Sequence, residues 1–351
     1  MTIASATTSS DIDWDLYVPS EQMVELEEAA RDHFAGLFSA ADVRAAVTGE
    51  ALDHLWPAIV EQGYTAIGLP AETDGIGGLV DLAAVLEQAG RSLLPAPLLA
   101  TTAATQTLLA IRAPVEEPPA EPSTLARRDH GGAWLCFDGR SATTAVAVAE
   151  RAGGCSIRVL SLESADRRPL AGVDGARADV VVVDGDAVVL AEHESDADLD
   201  AVLASARVCA AADLVGVAAG ALDGGIRHAL RREQFGRTIG SFQAVKHLLA
   251  DAYVLVERAR SLTRGAAVEA SRDPLGAAAR RLAMLAKAAA ADAATRSAEL
   301  HVQLLGAMGL TWESDAPLFV RRARHTGPFL GMPDDLYARV GAESLTEGEA
   351  R

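Results

Sequence analysis

Hydrophobic and polar positions follow two different periods along this chain. From Pro19 and Ser20, the stretch SEQMVELEEAARDHFAGLFS carries apolar residues at helical spacing, with acidic residues in the first turns where the helix dipole favours them. Helical patterns continue through EALDHLWPAIVEQG, LVDLAAVLEQAGRSL and LLATTAATQTLLAI, with a glycine-bearing loop from Leu69-Pro70 to Gly78 between them. A proline-rich linker, VEEPPAEPS, follows from Val115 to Ser123. The pattern then turns strand-like. AWLCF, TAVAVAE, SIRVLSL and DVVVV are short β-rich runs, and Asp184-Gly185 between two valine-rich arms predicts a hairpin. From about Ala197 long Ala/Leu/Arg stretches return, broken near Gly236 to Ser241, at Asp273-Pro274 and from Gly306 to Gly309. Long helices with short connections predict antiparallel neighbours in a bundle.

The predicted fold class is therefore α+β, ordered helical, β, helical. A frayed N-terminus spans 1–17, an N-terminal helical domain 18–124, a small middle β domain 125–196, and a C-terminal helical bundle 197–351. Half of the residues are hydrophobic but only 4% are aromatic, so the core must be built from Ala, Leu and Val. Small side chains of this kind let helix backbones approach closely. The formal net charge of −18 argues against nucleic acid or an anionic membrane as partner, since both need a basic face. No apolar run of about 18 residues free of charge predicts a membrane span. The first residues lack the basic and apolar regions of a signal peptide. Cys136, Cys155 and Cys209 are widely spaced and read as free thiols in a reducing cytoplasm.

The sharpest local signature is RREQFGRTIGSFQAVKHLLAD, from Arg231 to Asp251. Two helices flank a glycine-containing turn with basic residues at its mouth. Arg231, Arg232 and Arg237 have the paired donors that match a diphosphate, and backbone N–H groups at the next helix start would assist. On composition alone the same stretch reads first as a solvated basic turn. It resembles, however, the acyl-CoA dehydrogenase family signature R-x-x-F-G-x-x-I-x-x-F-Q, with Arg232, Phe235, Gly236, Ile239, Phe242 and Gln243 at its positions. Gly63 to Leu99 resembles the family's N-terminal helical domain. Gln303 to Arg324 resembles its Q-x-x-G-G-x-G turn and following helix. The three matches stand in the family's order, over most of the chain.

That resemblance implies an acyl-CoA dehydrogenase-like fold with a four-helix C-terminal bundle, and FAD lying across a subunit interface. The flavin ring sits in one subunit, and the pyrophosphate and adenosine run onto the neighbour's turns. Arg232, Gln234, Phe235, Gln243, Gln303, Gly306, Ala307 and Gly309 would be this chain's contribution. Ala307 stands where the family has a second glycine, which close approach tolerates unless the backbone needs positive φ.

The departures carry the functional expectation. The family's chemistry needs a carboxylate to take the α-proton of an acyl thioester. Leu330, in Phe329-Leu330-Gly331-Met332, occupies one usual position of that Glu, and Ala206, beside Arg207, occupies the other. Asp213 lies about two helical turns away and reads as a helix-surface or capped carboxylate, with a substitute base as the alternative. No flavin-cradling motif or Trp-containing strand of the family's kind is expected between Leu99 and Ala197; Cys136 to Thr144 is the nearest polar loop. Asp74 to Gly78 lacks the strand and third glycine of a dinucleotide fingerprint. His247 and His301 read as ordinary helix histidines, no metal site is expected, and Arg321 to His325 reads as a solvated helix face or, alternatively, a contact for CoA phosphates.

Together these features resemble the base-lacking subunit of heteromeric α2β2 acyl-CoA dehydrogenases of actinobacterial steroid side-chain breakdown. The resemblance implies a shared FAD, an acyl-CoA substrate, and a second acyl-CoA dehydrogenase-like subunit carrying the catalytic Glu. An FAD-free scaffold and a self-sufficient flavoenzyme with another base remain as alternatives.

Overall fold

The structure is a computed structural model that describes residues 17–128, 132–170, 172–177, 179–182 and 187–349. Five helices come first: α1 (Glu21–Leu37), α2 (Ala40–Val47), α3 (Leu55–Glu61), α4 (Leu79–Ser92) and α5 (Leu98–Ala110). Ser20 caps α1 by accepting from the Met23 amide at 3.2 Å, as its position before the acidic first turn predicts. Ser39 and Asp42 form a full capping box on α2. The expected frayed segment lies outside the described residues up to position 16; Tyr17 is held by its hydroxyl, which donates to Glu269 at 2.6 Å.

The middle of the chain forms one seven-stranded sheet: β1 (Ser123–Arg128), β2 (Trp134–Cys136), β3 (Thr144–Arg151), β4 (Gly154–Ser161), β5 (Arg167–Pro169), β6 (Val180–Val182) and β7 (Val188–Ser195). Their spatial order is β5-β6-β2-β1-β3-β4-β7, antiparallel except for β1 with β3. The predicted Asp184-Gly185 hairpin is corrected here. Its tip, residues 183–186, lies outside the described residues, but its two arms do not pair. Val180–Val182 pairs with β2 and β5, while Val188–Ser195 pairs with β4 at the opposite edge. A turn signal is local, and long-range pairing that buries Val180 and Val182 in the sheet overrides it.

After α6 (Leu199–Val202) come the long helices α7 (Ala204–Arg231), α8 (Gln243–Arg272) and α9 (Ala277–Leu305), then α10 (Ala316–Thr326) and α11 (Pro333–Glu349). α7 packs against α4, α5, α8, α9 and α10, and its first nineteen residues, Ala204 to Leu222, are all buried. An all-round apolar helix is what such a central position requires. By length and composition α7 is apolar enough to cross a membrane, and that apolar stretch is wholly buried inside the protein. Glycine sets how closely α4 and α7 approach. A Cβ on Gly216 would sit 1.9 Å from the Glu87 carbonyl oxygen, and one on Gly90 would sit 2.0 Å from that of Asp213. One large cluster, mostly Ala, Leu and Val, joins the helices to one face of the sheet, and a smaller cluster around Trp134 covers the other.

Candidate functional site

The R-x-x-F-G stretch forms a two-stranded hairpin, β8 (Glu233–Gln234) with β9 (Arg237–Thr238), set between α7 and α8. Its two central residues, Phe235 and Gly236, have φ of 54° and 76°. Positive φ at both is the type I′ pattern that matches strand twist in a two-residue loop. The cost falls on Phe235, a left-handed aromatic that is also 91% exposed. Strain and an exposed ring together mark a surface shaped for contact. The Arg237 guanidinium lies 4.0 Å over the Phe242 ring, stiffening the base of the hairpin. Arg232, Gln234 and Gln243 are exposed around it. Arg232 makes no ion pair among the described residues.

The second turn ends α9. Gln303 is exposed, and Gly306 terminates the helix at φ 64° with open space where a Cβ would stand. Ala307 is exposed and not in the left-handed region, so its replacement of glycine costs no backbone strain. Gly309 is buried, and a Cβ there would meet the Val302 carbonyl oxygen at 2.5 Å. Met308, Leu310 and Trp312 are exposed beside it, 55%, 79% and 48% respectively.

The interior presents the opposite picture. Leu330 is tied to the residue that follows Ala206: Arg207 donates from Nε to the Leu330 carbonyl at 3.0 Å. The same guanidinium holds Asp200 through its carbonyl at 3.0 Å and its Oδ1 at 2.7 Å. Leu330 is 1% exposed and Ala206 is 0% exposed. Leu330 sits at φ 63°, and the turn is pinned by Lys287, whose buried ammonium donates to the carbonyls of Gly327 and Gly331. Burial, reinforced by Arg207, pushes the Lys287 amine down to about 7. Phe329 stacks on Phe137 with ring centres 3.8 Å apart, and His325 stacks on the same Phe137 at 5.3 Å. Trp134, the sheet's tryptophan, is buried in the small cluster under Arg128.

Asp213 is committed elsewhere. Arg177, from the sheet side, donates to both of its oxygens at 3.0 and 2.5 Å and to the Thr326 hydroxyl at 2.8 Å. Burial works against the Arg177 charge, but Asp213, helped by Asp138 and Asp174, outweighs it and holds the guanidinium above its ordinary range. The expectation for Arg321 to His325 is corrected. Arg322 is 1% exposed, pairs with Asp174 at 2.6 Å and donates to the carbonyls of Leu93 and Leu94. Arg322 and His325 turn inward because two acidic residues in the loop before β6 supply counter-charges, while Arg324 stays exposed as expected and pairs with Glu299. His325 lies 3.3 Å from Asp179 there. The charge pattern of the helix alone carried no sign of those partners. All three cysteines are buried and free, with thiols pushed up by burial. Among the described residues no cluster of His, Cys, Asp or Glu could hold a metal ion.

Comparison with known proteins bears on these two surfaces. The family model for "Acyl-CoA dehydrogenase, C-terminal domain" matches residues 198–341. Acyl-CoA dehydrogenase IpdE2 of Mycolicibacterium smegmatis is 32% identical over 340 residues, covering 92% of this chain and 99% of the relative. The chain belongs to the acyl-CoA dehydrogenase family. Among solved acyl-CoA dehydrogenases, a variant of the Tcur3481–Tcur3483 steroid ACAD superposes with a TM-score of 0.80 at 25% identity, over 94% of this chain and 99% of that one. The ChsE4–ChsE5 complex from Mycobacterium tuberculosis contains a chain of the same fold, with a TM-score of 0.79 at 21% identity over 94% and 98%. Acyl-CoA dehydrogenases bind FAD, so each half of an FAD site can be tested against the residues present. The adenosine half fits: an unpaired Arg232, an exposed Phe235 and an open glycine cap at Gly306 share the bundle surface. In the other half, the two positions where the resemblance places a catalytic carboxylate, Leu330 and Ala206, hold buried apolar side chains.

Proposed function

We propose that this chain is the base-lacking subunit of a heteromeric, FAD-dependent acyl-CoA dehydrogenase, contributing the adenosine side of a site completed by its partner. The observation that carries this reading is the contrast between the two halves. Both usual base positions are apolar and walled in, while both cofactor-edge turns stand open on the surface. When bound, FAD supplies the hydride acceptor for α,β-dehydrogenation. This chain's own part is electrostatic and positional. Arg232 meets the pyrophosphate with charge-assisted donors, Phe235 and the Gly306–Gly309 turn supply contact area, and Gln234, Gln243 and Gln303 supply amide hydrogen bonds. The partner, a second acyl-CoA dehydrogenase-like subunit, brings the ring pocket and the catalytic Glu.

Two relatives support the assembly: the Tcur3481–Tcur3483 and ChsE4–ChsE5 proteins are each named as pairs, and the former as a steroid enzyme. The substrate proposed is accordingly an acyl-CoA with a steroid-derived acyl group. The test is native mass spectrometry of the chain co-expressed with its genomic neighbour of the same family. An α2β2 particle with one FAD per heterodimer is expected, and the isolated chain should show no acyl-CoA-dependent dye reduction. Turnover by the isolated chain, or a stable FAD-loaded homotetramer of it, overturns the proposal. Colourless pairs would instead favour a scaffold that binds no FAD.

A further inference from the structure

A cavity of about 620 Å³ lies beside the C-terminal ends of α7 and α9. It is walled by α1 and α2, the last turns of α4, α7 and α9, and the start of α10. None of the residues assigned to the adenosine side lines it. Its volume falls within the range of small-molecule sites, about 300–1,000 Å³.

Two features make it more than a gap. The first is a pair of buried polar atoms without hydrogen-bond partners, His301 Nδ1 and Ser314 Oγ, on residues that both line this cavity. Native interiors satisfy nearly all such atoms, so two beside one cavity point to a ligand that supplies the missing partners. His301 is 6% exposed at the cavity wall, and burial pushes its imidazole down to about 4, so the ring is neutral. Gly224 makes room for that ring: a Cβ there would lie 2.3 Å from His301 Cε1.

The second feature is charge placement. Arg91 is engaged by Asp223, and Asp315 is engaged by Arg44. That leaves Arg227 and Arg231, exposed and without an ion pair among the described residues, facing the single carboxylate of Glu313. Cationic excess at one mouth is unusual on a chain of net charge −18. Between mouth and inner wall the lining is apolar, with Phe34, Phe38 and Phe319.

We propose that this cavity binds a small apolar acid: a carboxylate at the Arg227 and Arg231 mouth, a ring or alkyl body against the phenylalanines, and a hydroxyl or carbonyl oxygen meeting His301 and Ser314. The site shares none of the eight residues assigned to the FAD edge, although its Arg231 adjoins Arg232 in the chain, and it does not depend on the pairing proposed above.

The probe set is 6-hydroxy-2-naphthoate, 2-naphthoate, which lacks the hydroxyl, and 2,6-dihydroxynaphthalene, which lacks the carboxylate. Each is titrated calorimetrically into the full chain. The hydroxy acid should bind most tightly. Arg227→Gln/Arg231→Gln should weaken both acids by about tenfold or more, the ordinary weight of charge-assisted contacts, and leave the diol unchanged. His301→Phe should weaken the hydroxy acid and spare 2-naphthoate. Both arginines are exposed, so their replacement leaves the fold intact, which circular dichroism checks. No binding of the hydroxy acid at millimolar concentration, or equal binding to parent and double-arginine variant, overturns the proposal. FAD stoichiometry of the co-expressed pair is read separately, so failure here and failure of the heteromeric reading are distinguishable.

Discussion

The Arg177–Asp213 pair joins the sheet to the helical bundle, and removing one partner should be among the costliest single changes in the molecule. The two side chains are 2% and 0% exposed, and they meet through two contacts at 3.0 and 2.5 Å. Arg177→Met takes away the only group that compensates Asp213 in these contacts. Breaking a buried pair from one side typically costs about 3–5 kcal/mol, because the survivor keeps its desolvation penalty and loses its counter-charge. The two single changes are not equivalent. Asp138 and Asp174 also act on Arg177, so Asp213→Leu leaves the guanidinium with acidic company, while Arg177→Met leaves Asp213 with none. Arg177→Met should therefore cost more than Asp213→Leu. The double variant should recover most of the loss, since a buried pair replaced by apolar groups is often neutral. Urea denaturation followed by far-UV circular dichroism gives the cycle, with equal m values required for comparison. A coupling energy under about 0.5 kcal/mol, as for independent sites, would refute the reasoning.

Three further outcomes follow from named geometry. Burial pushes the Asp138 carboxyl from the ordinary carboxylate range up to about 6, against the pull of Arg177, His325 and Arg322. Its stabilising contribution is full below about pH 4 and is lost as pH rises through about 6, roughly 3 kcal/mol in all; Asp138→Asn should flatten melting temperature against pH across that window, and an unchanged profile would count against it. Gly216→Ala drives a Cβ into the Glu87 backbone carbonyl and should destabilise by about 1–3 kcal/mol in the same urea assay, with no loss counting against the helix contact. Arg232→Ala should weaken FAD binding by the assembled pair about tenfold to a hundredfold with normal assembly; unchanged affinity in an FAD titration of the apo-complex would remove Arg232 from the site.

What was legible in the sequence is what depends on local pattern. Ser20 before an acidic first turn marked the start of α1, and the all-apolar stretch from Ala204 marked a central helix. The motif residues Arg232, Phe235 and Gly236 fixed where a turn would lie. That the turn is a hairpin with Phe235 held out at positive φ needed the backbone. Illegible in the sequence was everything that depends on distant partners. Arg322 and His325 read as solvent-facing because Asp174 and Asp179 stand far away in sequence. Likewise, Asp213 reads from the sequence as a helix-surface or capped carboxylate, because Arg177, its buried partner, stands 36 residues away. His301 had the spacing of any helix histidine, and only its orphaned nitrogen beside a cavity set it apart.

The two halves of an FAD site obey opposite physical demands, and this explains why a chain can keep one and lose the other. A ring pocket is a hole in a core. Left empty in a chain that no longer uses it, such a hole costs stability in proportion to its volume, so substitutions that fill it are favoured. On the reading proposed above, Phe137 stacked on Phe329, with the ion pairs of Arg177 and Arg322 near them, would be such a filling. Once the space is closed a carboxylate at position 330 would be a buried charge without a substrate proton to take, and Leu is the cheaper occupant. The adenosine edge is a surface, where retention costs little folding energy but exposes Phe235, Met308, Leu310 and Trp312. Apolar groups in that density are tolerable on a soluble protein when another surface covers them. On the reading proposed above, the packed interior and the bare edge would be two consequences of one condition, a subunit whose ring pocket and base are supplied from across an interface.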